Sequence, residues 1–404
     1  MNVFAHIGLH KVFLGLGLSL VVFGSFWQAL EAPLDIPRPI LEYLNNDVTD
    51  SYPNLRPQSG VKKPSNRPIE ERKPVKDIYA TLWLHQVHRW FGGEDQRLSR
   101  IREFLQEAKN SGITSIMGDL PWEWTEREKQ GELDLVKFDK GWMKLVCEMD
   151  LNLHVVITMR DMPPWLQNSA THSGQSNLTE VGKCTSAPNP VTTSSPSSAH
   201  PLVWDSMQSY TRMASHLLLQ EYGTCIHSIS PTMNNEFETR YSSTHNALRD
   251  YSVFMTEQYK DWQRQRHLQG PNSTTQITTK QHGQPVLNCM GTCTSIVDSQ
   301  TWNWLGFREE FLAKRYERLC ELVHDGASQT NHAGSCLLHF GEMFSTLDVI
   351  HSNLFFYLAK SPQVNHLVMD SNMALMGAPS SPSIVGVLVS TASNYNKTVH
   401  YEAA

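Results

Sequence analysis

The chain has 404 residues, a formal net charge of -6 and 40% hydrophobic residues. That is enough apolar material for one large α/β domain with tails, and the mild acidity gives no reason to expect nucleic-acid binding. The 11 Trp and 12 Tyr suit stacking against sugar rings, but by count alone a packed core accounts for them.

From Val12 to Leu30 the chain is uncharged and mostly apolar, directly behind Lys11. A run of this length crosses a bilayer. A cleaved signal peptide is the competing reading, but Leu30 is bulky at a position that wants a small residue, and Pro33 follows Ala32 directly. The expectation is an uncleaved anchor over residues 1–32, with Lys11 cytoplasmic and the body in the secretory pathway, membrane-bound or secreted. Three glycosylation triplets agree, starting at Asn177, Asn272 and Asn396. Residues 33–76 hold eight prolines and form an extended stem.

The folded body, residues 77–404, alternates apolar runs with helical patterns, which predicts parallel strands with crossover helices. The first strand is Ile78 to Leu84, followed by a helix from Arg97 to Ser111. The second strand, Thr114 to Met117, ends in Asp119. A helix from Asp139 to Met149 leads to the third strand, Leu153 to Met159. A Ser/Thr/Pro-rich insert, Asn168 to His200, precedes a helix from Trp204 to Tyr222. The fourth strand, Cys225 to Ile229, runs into Asn234-Asn235-Glu236, with a helix from Ala247 to Arg266 behind it.

After a second polar insert, Arg266 to Gln300, comes a helix from Phe307 to His324. Then follow strands at Ser335 to Phe340, Val364 to Asp370 and Thr398 to Tyr401. Seven such units are one short of a (β/α)-eight barrel. An open doubly wound sheet would want a glycine-rich phosphate turn after the first strand, and Leu84-His-Gln-Val-His-Arg-Trp is aromatic and basic instead.

Seven cysteines leave at least one thiol free. Cys289 and Cys293 are placed to pair locally, or one of them with Cys184. Cys147, Cys225, Cys320 and Cys336 sit in apolar runs and are expected to be buried thiols. Cys289-x-x-x-Cys293 has no matching second pair for zinc. His85 and His88 fall on opposite faces of a strand, so no metal is expected.

Two stretches match a family. Pro121-Trp-Glu-Trp-Thr-Glu-Arg-Glu-Lys-Gln-Gly-Glu-Leu-Asp, with Phe138-Asp139 beyond it, resembles the "W…E…G…D(F)" segment after the second strand of β-galactosidases. Val155 to Leu166, VVITMRDMPPWL, resembles their third strand and the loop that follows. Asn235-Glu236 resembles the pair that closes the fourth strand of retaining glycosidases, and TVHYEA at 398–403 resembles the segment carrying their nucleophile. The body is thus similar to β-galactosidase-like glycoside hydrolases of the family 42 or family 35 type.

That resemblance implies a TIM-type barrel incomplete at its carboxyl terminus, no cofactor, and a carbohydrate substrate. Retaining hydrolysis takes two carboxyl groups, one protonating the leaving oxygen and one attacking the anomeric carbon. The resemblance assigns these roles to Glu236 and Glu402. It places Asn235 on the sugar 2-hydroxyl and Trp122, Glu123, Arg160 and Trp165 along the pocket, with Arg160 orienting a carboxylate or lowering its pKa. Glu342 and Asp370 are rival strand-end carboxylates, and Glu126 and Glu128 are expected on a solvated face. The competing reading is a non-catalytic sugar-binding or adhesion protein on the same fold. A metal-dependent or inverting enzyme of another clan is a third.

Overall fold

Alternation along the strands decides the architecture. The chain's computed structural model describes residues 78–82, 94–135, 141–172, 178–184, 187–233, 239, 250–266, 299–340, 354–370 and 382–402. The internal contacts of Asp77–Ala404 make it one unit. Its elements are β1 (Tyr79–Thr81), α1 (Glu94–Asn110), β2 (Ser115–Pro121), α2 (Trp122–Thr125), α3 (Trp142–Glu148), β3 (Asn152–Thr158), α4 (Pro164–His172), β4 (Thr179–Cys184) and β5 (Ala187–Pro196). They continue with α5 (Pro201–Tyr222), β6 (Ile226–Thr232), α6 (Val253–Gln265), α7 (Ser299–Ser328), β7 (Leu337–Phe340), α8 (Leu354–Lys360), β8 (His366–Asp370), α9 (Pro382–Asn394) and β9 (Thr398–Glu402).

The parallel strands stand side by side in chain order, β1-β2-β3-β6 and β7-β8-β9. A parallel bridge from Ile229 to Cys336 joins the two groups. Crossovers of one hand between strands in chain order put every helix on the same side. That side buries Ile116 and Leu120 of β2, Leu153, Val155 and Ile157 of β3, Ile229 of β6, Leu338 and Phe340 of β7, and Leu367 and Met369 of β8 against the helices. The alternate positions form a separate small cluster of Met117, Val156, Leu337 and Val368.

The wall is curved, not flat. Four strand spacings separate β3 from β9, about 19 Å in a flat sheet. Yet the rings of His154 (β3) and His400 (β9) lie 6.1 Å apart. The second face therefore encloses a lumen.

The first polar insert is not structureless. Its Ser/Thr/Pro composition hides an antiparallel hairpin, β4 with β5, because β-branched Val and Thr favour strands when a partner is available. Among the described residues no helix is long and apolar enough to cross a membrane. Residues 12–30 lie outside the described residues, as do Asn177, Asn272, His85, His88, Cys289, Cys293 and Glu342. Asn396 is exposed, in the turn before β9, with φ 57°, a left-handed conformation that asparagine tolerates.

The four cysteines expected as thiols form two disulfides, Cys147–Cys225 and Cys320–Cys336. Cys320 and Cys336 are buried as expected and Cys147 and Cys225 only partly, but helix-on-strand packing brings the Cα atoms to 5.5 and 5.4 Å, within bonding range. Both staples tie a helix to the entry of a strand, β6 or β7, at the amino-terminal end of the wall.

Gly118 shows how tightly the outer layer packs. A Cβ there would lie 2.2 Å from Cη2 of the buried Trp142. Gly118→Ala is expected to destabilise the fold by about 3 kcal/mol, the upper end for overpacking, and Trp142→Phe is expected to recover part of that loss in the double variant. Urea titrations of the four proteins check it. Additive losses would show that the ring is not the obstacle.

Candidate active site

In parallel α/β folds the carboxyl-terminal strand ends carry the chemistry, and here the second strand turns directly into a one-turn helix. Trp122 and Glu126 stand four apart across that turn, so they meet. The Trp122 indole donates to Glu126 Oε2 at 2.7 Å, and Gly131 N donates to Glu126 Oε1 at 2.7 Å. Gly131 itself has φ 83°, a conformation glycine adopts without strain. Thr125 Oγ1 donates to Pro121 O at 2.9 Å and shares a 2.5 Å hydrogen bond with Tyr210 OH. Trp122 stacks on Tyr210 at 5.7 Å.

This corrects two expectations. Glu126 is only 1% exposed, not on a solvated face, and its carboxylate braces the loop that follows β2. Glu128 is exposed, as expected. Trp122, expected along the pocket, is wholly buried: its large ring supports the turn that presents Glu123. The spacing Trp122…Glu126…Gly131 thus acquires a physical role as a loop clamp.

Glu123 is half-buried at this turn. Burial pushes its carboxyl above the usual range, nearby Asp161 adds to the rise, and Arg160, Trp124 and Arg127 oppose it. Arg160 and Asp161, just beyond β3, form an ion pair. Burial and Asp161 outweigh the opposing charge of Arg160. A carboxyl raised in this way is able to hold a proton nearer neutrality, a property of acid/base sites. Trp165 on α4 is partly buried against the core, and Trp124 is 40% exposed at the rim. Asp161 is the residue that sequence reasoning missed here. Its position beside Arg160 at a strand end was the available signal.

Described residues on either side of the fourth-strand motif are anchored. Met233 N donates to the buried Tyr316 hydroxyl on α7 at 3.2 Å, and Thr239 N donates to His339 O at 2.6 Å. Asn235 and Glu236, between these anchors, lie outside the described residues. Glu402 is the last residue of β9, in register with Asp370 of β8. Among the described residues, no three His, Cys, Asp or Glu are arranged to hold a metal ion.

With this geometry in view, the catalytic domain of a β-amylase from Paenibacillus polymyxa superposes with a TM-score of 0.58 at 12% identity, covering 81% of this chain and 85% of that one. The fold is the one that catalytic domain has. β-Galactosidases from Marinomonas ef1 and Halorubrum lacusprofundi also match, at 12% and 10% identity and a TM-score of 0.46. The match covers 73% of this chain and 40% of theirs. No protein-family model matches the chain, and a search of curated proteins finds no match.

Proposed function

We propose that the chain is a retaining exo-glycosidase that hydrolyses β-linked sugars, with β-galactosides as the first candidates. The carrying observation is one run of parallel strands whose carboxyl-terminal ends carry these groups or lead into them along the chain. Glu236 follows β6 between two anchored backbone positions, and Glu402 closes β9. Glu123, Arg160 and Asp161 gather at the ends of β2 and β3. In this reading Glu236 is the acid/base and Glu402 the nucleophile. Asn235 holds the 2-hydroxyl, and Glu123 and Arg160 contact sugar hydroxyls, with Trp165 beside them. The likeness to a β-amylase catalytic domain supports glycoside hydrolysis as the reaction class. The two disulfides support a body folded in an oxidising compartment, in keeping with the apolar run at 12–30.

The test follows the first-formed sugar anomer by proton NMR during turnover of an aryl β-galactoside. The β-anomer is the expected product. The α-anomer would mean inversion, which needs the carboxyl groups about 6.5–9.5 Å apart instead of about 5–5.5 Å. Sugar binding by calorimetry with no turnover of aryl or alkyl β-glycosides would favour the sugar-binding reading.

A further inference from the structure

The one-turn helix α2 has a fastened side and a presenting side. A helix advances about 100° per residue, so Trp122, Thr125 and Glu126 fall on one side, Trp124 falls opposite them, and Glu123 lies between. Trp122, Thr125 and Glu126 are buried, and they hold the turn. Glu126 accepts from the Trp122 indole and from Gly131 N, and Thr125 bonds Pro121 O and Tyr210 OH. The turn is therefore fixed without any help from Trp124. Among the tryptophans with described side chains, Trp124 is the one that is exposed. Trp122, Trp142, Trp204 and Trp304 are buried, and Trp165 and Trp262 are half-buried.

A single exposed apolar side chain is ordinary on a protein surface. Two further observations set this one apart. The Trp124 side chain hydrogen-bonds Glu123, and its indole N–H can only donate, so the edge of the ring is tied to the candidate site. Glu123 in turn interacts with Arg160 and Asp161, which pair with each other. An aromatic ring held at one edge thus borders a group of charged, hydrogen-bonding side chains. A pyranose matches that combination. Its axial C–H bonds make the ring faces apolar, and its equatorial hydroxyls surround the edge. Apolar contact area with a few placed polar groups is the usual make-up of a small-ligand site.

We propose that Trp124 is a specificity-determining residue, a stacking platform for the leaving sugar of a β-linked disaccharide or oligosaccharide. The inference rests on the glycosidase reading and narrows it from β-glycosides in general to β-linked saccharides. In that reading Glu123 and Arg160 contact hydroxyls of the terminal sugar. Glu123 is half-buried, whereas Trp124 is 40% exposed at the rim. An exo-acting enzyme takes the terminal sugar innermost, so the ring that meets Trp124 is the next one out, on the leaving side. Stacking of this kind is made in the ground state and the transition state alike. It lowers KM without raising kcat.

The experiment compares lactose, whose leaving group is a glucose ring, with methyl β-galactoside, whose methyl group offers no ring to stack. Trp124→Ala is expected to raise KM for lactose about 10- to 100-fold more than KM for methyl β-galactoside, the range for burying one aromatic face. The larger part of the change is expected in KM, not kcat. Trp124→Phe keeps a ring but loses the N–H donor, and it is expected to recover most of the loss. A second readout needs neither turnover nor a variant. Oxidation of Trp124 by N-bromosuccinimide is followed on its own peptide by mass spectrometry in the wild-type full chain. A thio-linked galactosyl-glucose, which resists hydrolysis, is expected to slow that oxidation more than methyl β-thiogalactoside does.

Turnover with equal KM shifts for the two substrates, a loss in Trp124→Phe as large as in Trp124→Ala, or no extra protection by the disaccharide would overturn the platform and leave the glycosidase reading standing. Protection by the disaccharide without turnover of any β-glycoside would uphold the sugar contact and end the glycosidase reading. Neither turnover nor protection would overturn both.

Discussion

Glu402→Gln is expected to abolish hydrolysis of aryl and alkyl β-glycosides alike. An amide cannot attack the anomeric carbon, so the covalent intermediate does not form for either leaving group. Glu236→Gln is expected to behave differently. Alkyl glycosides depend on protonation of the departing oxygen and should slow by about 10²- to 10⁴-fold, the usual range for a general acid. Activated aryl glycosides leave unaided, so their glycosylation step should be nearly spared. The assay compares both substrate types with wild type and the two variants. Full-rate turnover of either substrate by Glu402→Gln would remove it as the nucleophile. Equal slowing of both substrates in the glycosylation step of Glu236→Gln would remove the acid role from that residue.

Loss of the Cys147–Cys225 bond is expected to cost more than loss of Cys320–Cys336. The first closes a separation of 78 residues and the second one of 16. The chain-entropy relation then gives about 4.5 kcal/mol against about 3 kcal/mol. Either loss is a large share of the 5–15 kcal/mol that folded domains typically possess. Paired alanine variants, Cys147→Ala with Cys225→Ala and Cys320→Ala with Cys336→Ala, measure it by urea unfolding. Alanine adds no polar group to a buried position. Equal losses, or the reverse order, would show that local packing around the sulfurs dominates over loop length. Because both bonds sit at strand entries, away from the carboxyl-terminal ends, partial destabilisation is expected to leave KM for a turned-over glycoside unchanged while the protein stays folded.

Much of the wall was legible in the sequence. The apolar runs at 153–159, 225–229, 335–340 and 364–370 are strands because branched and aromatic residues suit a pleated surface. The patterns at 97–111 and 204–222 are helices because their apolar residues recur on one face. One helix boundary moved: the helix expected over 307–324 runs from Ser299 to Ser328, because Trp304 and Leu305 before that range and Ala327 after it extend its buried face. The hairpin β4–β5 was not legible, because strand pairing is settled by a partner and the composition of that segment resembles a loop.

In the candidate site, two members of the second-strand motif, Trp122 and Glu126, are buried where a pocket position and a solvated face were expected. Spacing brings Trp122 and Glu126 together on any helical turn, but spacing does not say which side faces the core. Tyr210, 85 residues beyond its partner Thr125, makes that decision by stacking on the indole. The same holds for Glu123. Its sequence neighbours include Trp124 and Arg127, whereas the group that raises it next after burial is Asp161, delivered from another strand.

By itself, then, the sequence determined the order and kind of most elements, the apolar face of each strand, and which strand ends carry carboxylates, because these depend on local periodicity and residue chemistry. Only the tertiary structure decided the disulfide partners, the burial of Trp122 and Glu126, and the approach of His154 to His400. Those depend on curvature of the wall, which brings β3 and β9 together across a lumen. Each strand shows its histidine separately, but no one-dimensional pattern specifies that the rings meet.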